Sequence, residues 1–355
     1  MCQYQSQDGN PTDWHLVHLG RLALGGAGIV FTEETSVEAR GRKTYDCAGI
    51  WNDQQAVNYR RITSFIRSMG AVPAMQLGHC GRRAGTLGPK ESFQPLTEAD
   101  AKEGRPPWQG IAPSPVQSDS RMLIPHEMDS GDIKTVVKAF GDAADRTLSA
   151  GFEICEIHGA HGYLIHQFLS PVANKRSDGY GGDRAGRMRF ALEVTEAVRR
   201  IWPNDKPLFF RVSAIDGKGG AWTLEDTIAL SKELSDRGVD VIDCSSGGMT
   251  GTSDMPAVDY SPGYQVPFAA KVRKEANVKT MAVGLITEPG LAESILQNGQ
   301  ADLVAMAREL MYGADWPVHA AKALGVADYF DIFPVDYAWR LKRREKGLGF
   351  TSSFS

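Results

Sequence analysis

The sequence predicts an α/β chain, a (β/α)8 TIM barrel that lacks its first strand at the N-terminus. Two observations lead there: apolar runs of strand length recur at a regular interval along the chain, and a helical pattern follows each run. The runs cover 28–37, 72–79, 152–161, 208–214, 239–248, 279–286 and 301–310, which makes seven. Amphipathic stretches at 132–150, 187–201, 223–237 and 288–298 separate them, the second closing ahead of Pro203. The stretch 14–25 is also helical, and the residues before it hold no strand pattern. A closed barrel needs eight strands, because an open one leaves unpaired backbone edges, so the first strand is expected upstream of Met1.

The run at 72–79 is followed by a segment rich in Gly and Pro, 80–134, of the length that lids and small subdomains have. The expected organisation is a barrel over 1–325, carrying this excursion, and a C-terminal tail over 326–355. A length of 355 residues fits one such unit, since α/β barrels extend from about 250 residues to well beyond that as single domains.

Composition narrows the function. Hydrophobic residues at 42% and charged residues at 23% match a globular protein able to bury a core, which excludes bulk disorder. A formal net charge of −4 gives no attraction to phosphate backbones or anionic lipid, so neither nucleic acid nor membrane is an expected partner. No run approaches the ~18 apolar residues that span a bilayer. The five cysteines, Cys2, Cys47, Cys80, Cys155 and Cys244, are scattered without C-x-x-C pairing and read as reduced thiols of a cytoplasmic protein.

In barrels the site is built at the C-terminal ends of the strands, where this chain places Glu34, Thr35, Gln76, His79, His158, His161, Arg211, Ser245, Ser246, Gly284 and Arg308. Gly284 and Arg308 end the last two runs, where barrels commonly hold a phosphate: glycine lets backbone N–H groups approach the oxygens, and a guanidinium grips them bidentately. His158 and His161, three residues apart with Tyr163 following, can ligate a metal or donate hydrogen bonds to an oxygen that gains charge. A zinc site needs a third ligand, for which Asp216 and His79 are the candidates. Gln76 and Arg211 offer a donor and a fixed positive charge to a ring carbonyl or an anionic ring nitrogen.

Longer motifs join these residues: M-C-Q-Y at 1–4, T-D-W-H-L-V-H-L-G at 12–20, Q-L-G-H-C-G-R at 76–82, I-A-P-S at 111–114, I-H-G-A-H-G-Y-L-I-H-Q-F-L-S-P at 157–171, N-K-R-S-D-G-Y-G-G at 174–182, R-V-S-A at 211–214 and D-C-S-S-G at 243–247. Together they resemble the Old Yellow Enzyme family of NADH:flavin oxidoreductases, and within it the thermophilic-like and xenobiotic-reductase branch of bacterial ene reductases. Family members carry about two dozen residues ahead of M-C-Q-Y, the first strand included.

The resemblance implies non-covalent FMN, with NADPH or NADH as hydride donor and a small activated alkene, an α,β-unsaturated carbonyl or nitro compound, reduced in a ping-pong cycle. It implies Gln76 and Arg211 at the pyrimidine end of the flavin, Gly284 and Arg308 at its phosphate, Cys2 at its redox-active edge and Thr35 near its O4 and N5 side. His158 and His161 are implied to hold the substrate oxygen, with Tyr4 and Tyr163 lining the pocket and Tyr163 a proton source. A homodimer is implied too, Trp339 or else Arg340 reaching the neighbouring site. The alternatives are a non-redox barrel, either a phosphate-binding lyase or an H-x-x-H metal enzyme, and an inactive truncated member of the family.

Overall fold

A computed structural model describes residues 1–217, 220–249 and 260–348. Among them run strands β1 (Ile29–Ser36), β2 (Val72–Gly78), β3 (Ile111–Ala112), β4 (His126–Glu127), β5 (Ile154–Gly159), β6 (Leu208–Ser213), β7 (Val241–Ser245), β8 (Lys279–Ala282) and β9 (Leu303–Val304). Seven of them form one sheet in the order β1-β2-β5-β6-β7-β8-β9, every pair parallel. Each predicted run thus supplies one strand of a curled (β/α) sheet with helices around it. Among the described residues β1 and β9 each have a single partner strand.

The runs are longer than the strands they make. The 152–161 run ends as a strand at Gly159, and the 301–310 run keeps only Leu303–Val304 before Arg308 opens the short helix Arg308–Tyr312. Among the described residues no ladder holds the chain extended past these points.

Side-chain alternation sorts each strand into two faces. Met75, Leu77, Cys155, Ile157, Phe210, Val212, Ile242 and Cys244 face outward into the main hydrophobic core beneath the helices. The inward positions Ala74, Ile154, Phe209, Val241 and Met281 form a separate apolar plug in the lower barrel. Two residues further along, the same parity delivers Gln76, Glu156, Arg211 and Asp243, paired in register as Gln76↔Glu156 and Arg211↔Asp243. The barrel interior therefore changes from apolar to polar along its axis.

In β1 the register slips between Phe31 and Glu34: Phe31 pairs with Ala74, and Glu34 with Gln76, so three residues on β1 oppose two on β2. This is a β-bulge, which re-aims the side chains after it.

Local sequence sets the helix starts. Asn52 accepts from Gln55 N–H, Asp129 from Gly131 and Asp132 N–H, Asp183 from Gly186 N–H, and Thr223 from Asp226 N–H, each cap worth about 1 kcal/mol. The helices Ser130–Ser149 and Arg184–Ile201 bury Phe140 and Phe190 against the sheet, about 1.5–3 kcal/mol per such side chain. The excursion after β2 is tied to the loop after β1. Trp108 Nε1 donates to the Arg40 carbonyl at 3.0 Å, Tyr45 OH donates to the Pro106 carbonyl at 2.7 Å, and the Arg42 guanidinium stands over the rings of Tyr45, Trp51 and Trp108. Of the expected tail, helix Val335–Gly347 is folded back through buried Glu345, which accepts from Lys322 Nζ at 2.5 Å and from Tyr329 OH. Residues 349–355 lie outside the described residues.

Candidate active site

The polar end of the barrel opens into a cavity of about 800 Å³. It is lined by Cys2, Tyr4, Gln76, His158, His161, Tyr163, Arg211, Gly284 and Arg308, so nine of the ten expected site residues come together there. The Thr35 side chain does not: its hydroxyl donates to the Glu33 carbonyl at 2.9 Å, and its register partner Leu77 belongs to the outer core. Glu34 lines the cavity instead. Strict alternation from the inward-facing Phe31 selects Thr35; the bulge shifts the parity by one and turns Glu34 inward. Both adjacent acids of T-E-E-T are buried, and only the bulge decides which of them faces the cavity.

The floor is a network of charges. Arg211 Nε stands 3.1 Å from Asp243 Oδ2, and Gln76 Nε2 donates to Glu156 Oε1 at 2.7 Å. Burial pushes both acids up, most for Glu156 with Asp243 beside it, while Arg211 draws both down. One guanidinium thus serves two buried carboxyls and still lines the cavity.

The two imidazoles sit together above it. His158 Nε2 and His161 Nδ1 are 3.3 Å apart, and His161 Nε2 is 2.7 Å from Ser245 Oγ. Burial, reinforced by Arg211, holds both well below the usual imidazole value, so both rings are neutral at physiological pH. His161 adopts the left-handed conformation at φ 58°, held by its N–H donating to Ser213 Oγ at 2.9 Å, a placement that non-glycine residues keep where the surroundings enforce it. Tyr163 packs its ring edge-on to His158 with centroids 5.1 Å apart, and burial raises its phenol far above the usual range, so it remains a proton carrier. Tyr4, also at positive φ, packs on Phe93 of the excursion.

Gly284 follows β8 with φ 122°, and a Cβ there would lie 3.0 Å from both Gln265 Nε2 and the Tyr264 ring. Gln265 itself was not foreseen in the sequence. It accepts from Ser246 Oγ at 2.7 Å and donates to the Val283 carbonyl at 3.1 Å, bracing the end of β7 against the end of β8.

The candidate third metal ligands have other partners. Asp216 accepts from Ser170 Oγ at 2.6 Å and lies 2.9 Å from His166 Nε2, and His79 Nε2 is 2.8 Å from Glu38. Among the described residues no three His, Cys, Asp or Glu side chains are grouped as metal ligands. No described helix is long and apolar enough to cross a membrane.

The comparisons with known proteins give the family and the fold. The family model described as "NADH:flavin oxidoreductase / NADH oxidase family" matches residues 1–326. An NADPH dehydrogenase of Geobacillus sp. (strain WCH70) is 42% identical over 328 residues, covering 92% of this chain and 88% of that protein. Among solved structures, 2-naphthoyl-CoA reductase superposes with a TM-score of 0.79 at 22% identity over 91% of this chain, which spans 49% of that longer chain. Morphinone reductase in complex with tetrahydroNAD superposes with a TM-score of 0.74 at 23% identity, covering 95% of this chain and 90% of that one. These two show the fold; the family model and the dehydrogenase show the kinship. The chain belongs to the NADH:flavin oxidoreductase family, that of Old Yellow Enzyme, and is an FMN-dependent oxidoreductase that takes hydride from NADPH or NADH.

Proposed function

We propose that this oxidoreductase is an ene reductase, reducing the C=C bond of α,β-unsaturated carbonyl or nitro compounds in a ping-pong cycle. The observation that carries the reading is the pair of neutral imidazoles on the cavity wall with the Tyr163 phenol packed against one of them.

The residues present fit the cofactor. The cavity is large enough for a tricyclic ring, Arg211 and Gln76 offer a cation and an amide, and Gly284 and Arg308 line the same cavity. In this reading Gln76 and Arg211 hold the pyrimidine end, Gly284 and Arg308 the phosphate, and Cys2 stands at the redox-active edge, with Glu34 rather than Thr35 as the β1 side chain toward the ring. Bound FMN supplies the hydride chemistry, between the nicotinamide and then the alkene.

The chain's own groups do the rest. His158 and His161 orient the substrate's carbonyl or nitro oxygen and donate to it as negative charge develops there, each such donor worth roughly 3 kcal/mol in the transition state. Tyr163 Oη holds the proton for the α-carbon. Tyr4 and Phe93 wall the pocket, and the excursion over 80–134 excludes water.

For assembly we infer a homodimer. Trp339 is 50% exposed, flanked on the Val335–Gly347 helix by exposed Val335 and Tyr337, and stacked with Arg340 and Arg343; neither Trp339 nor Arg340 lines its own chain's cavity. The five unpaired cysteines fit a cytoplasmic location.

The experiment is an anaerobic spectral titration of the purified flavoprotein. NADPH should bleach the flavin bands and 2-cyclohexenone should restore them. A flavin that NADPH reduces, but that neither enones nor nitroalkenes reoxidise without air, would rule out ene reduction while leaving the oxidoreductase intact.

A further inference from the structure

Glu34 is an acid in the cavity wall for which the proposed mechanism has no use. Its side chain is buried at 3% exposure, Oε1 accepts no hydrogen bond, and Oε2 has only the weak thiol donor of Cys80 at 3.9 Å. It folds over Gly78, where a Cβ would lie 2.3 Å from Oε1; β2 carries glycine at the spot this carboxyl occupies. The bulge in β1 aims it inward, in register with Gln76, so the two stand side by side on the same interior layer.

The groups facing it are few in charge. On its own strand Glu33 is engaged by His15 Nε2 at 3.1 Å and by the Gln3 N–H at 2.9 Å. The N-terminal segment brings Cys2, Tyr4 and the Met1 ammonium, the loop after β1 brings Lys43 and Cys47, β2 brings Gln76 and its following residue Cys80, and the segment after β5 brings Tyr163. Neither cation forms an ion pair with Glu34 among the described residues. A buried carboxylate without donors is costly, so the acid form is favoured; burial first, then Glu33, pushes the group up to about 8.

We propose that Glu34 is a hydrogen-bond donor of the cofactor wall: its acid form donates the carboxyl proton to an acceptor atom of the FMN ring system, and its ionised form weakens FMN binding. This rests on the reading of the cavity as the FMN site. Oxidised flavin presents ring carbonyls and unprotonated ring nitrogens, all acceptors, and an unpartnered acid at the cavity wall complements them where a carboxylate repels them.

The test is FMN affinity by fluorescence quenching for the wild type, Glu34→Gln, Glu34→Ala, and Gln76→Ala. It runs from pH 7 to pH 9.5, above the second ionisation of a phosphate monoester near ~6. The wild-type Kd should stay level to about 8 and then rise about tenfold per pH unit, as one linked proton requires. Glu34→Gln keeps a donor that cannot ionise, so its Kd should stay level throughout. Glu34→Ala should bind about tenfold more weakly at pH 7, the loss of one hydrogen bond. Infrared difference spectra, wild type minus Glu34→Gln, give a readout independent of affinity and free of the other buried acids: a carboxylic-acid carbonyl stretch present at pH 7 and lost at pH 9.5.

A Glu34→Gln profile that climbs like the wild type, an alanine variant that binds as tightly as the wild type at pH 7, or no such infrared band overturns the role of Glu34. If Gln76→Ala also leaves FMN affinity untouched, the assignment of the cavity falls with it; if Gln76→Ala weakens binding, only the role of Glu34 falls.

Discussion

Replacing Arg211 by Met removes the cation that stands between two buried acids, and the structure says how the damage should depend on pH. At 3.1 Å and an effective dielectric of ~20, the attraction between Arg211 and Asp243 amounts to about 5 kcal/mol before the desolvation of both groups is counted. Removing one member of such a buried pair costs roughly 3–5 kcal/mol, because the other is left as an uncompensated charge. Asp243, 1% exposed, can escape by taking up a proton. Its value is already raised by burial and is drawn down by Arg211, so the substitution moves it higher. A carboxyl raised in the folded state binds more protons there than in the unfolded chain. Stability therefore falls as pH climbs from the unfolded value near ~3.9 toward the folded one, by about 1.4 kcal/mol per unit.

The deficit of Arg211→Met against wild type should thus be about 1–2 kcal/mol at pH 5 and about 3–5 kcal/mol at pH 8, read from urea unfolding of the apoprotein by circular dichroism. Adding Asp243→Asn removes the stranded charge and should bring the double variant back to within about 1 kcal/mol of wild type at pH 8. FMN affinity should not return with it: the cation is still gone, which costs tenfold to a hundredfold in Kd for a charged hydrogen bond. A deficit equal at both pH values, or one that Asp243→Asn does not relieve, refutes the compensation argument. A double variant that binds FMN like the wild type refutes the contact.

Four further outcomes follow from the same site. His158→Ala and His161→Ala should each lower alkene turnover in steady-state assays by about 10²–10³-fold, the worth of one well-placed donor. Because burial holds both imidazoles below their usual value, the wild-type pH profile of kcat/KM for the alkene should show no break near ~6.5. Tyr163→Phe should slow turnover with enones about 10²-fold or more in stopped-flow reoxidation, with FMN affinity unchanged. Gly284→Ala must hold φ 122° and set its Cβ 3.0 Å from Gln265 and Tyr264; with backbone strain of about 1–3 kcal/mol, it should weaken FMN binding by roughly tenfold or more in a fluorescence titration.

What the sequence could and could not disclose divides along the range of the forces involved. The seven strand positions were legible because alternation and strand length are local, and the outward apolar faces of β2, β5, β6 and β7 follow from them directly. His158, Arg211 and Gln76 were legible as site residues for a related reason. They occupy the inward parity just past the apolar plug, where a polar side chain in a barrel is expensive unless it has work to do. Gln265 was not legible, because its importance lies in joining Ser246 to the Val283 carbonyl across two strand ends distant in sequence.

Thr35 marks the sharper limit. Glu34 and Thr35 both stand at the end of the run, the resemblance implied Thr35, and nothing in the residue types of V-F-T-E-E-T announces that one extra residue enters the ladder before Glu34. Parity survives only as long as the ladder is regular, and a bulge inverts it for every residue that follows. The structure resolves it: of the two adjacent acids, Glu33 is engaged by His15, and Glu34 faces inward. An acid forced inward beside Gly78, with one oxygen unclaimed, is the arrangement from which its role toward the cofactor was drawn. The irregularity that breaks the alternation is therefore what places an ionisable group in the site.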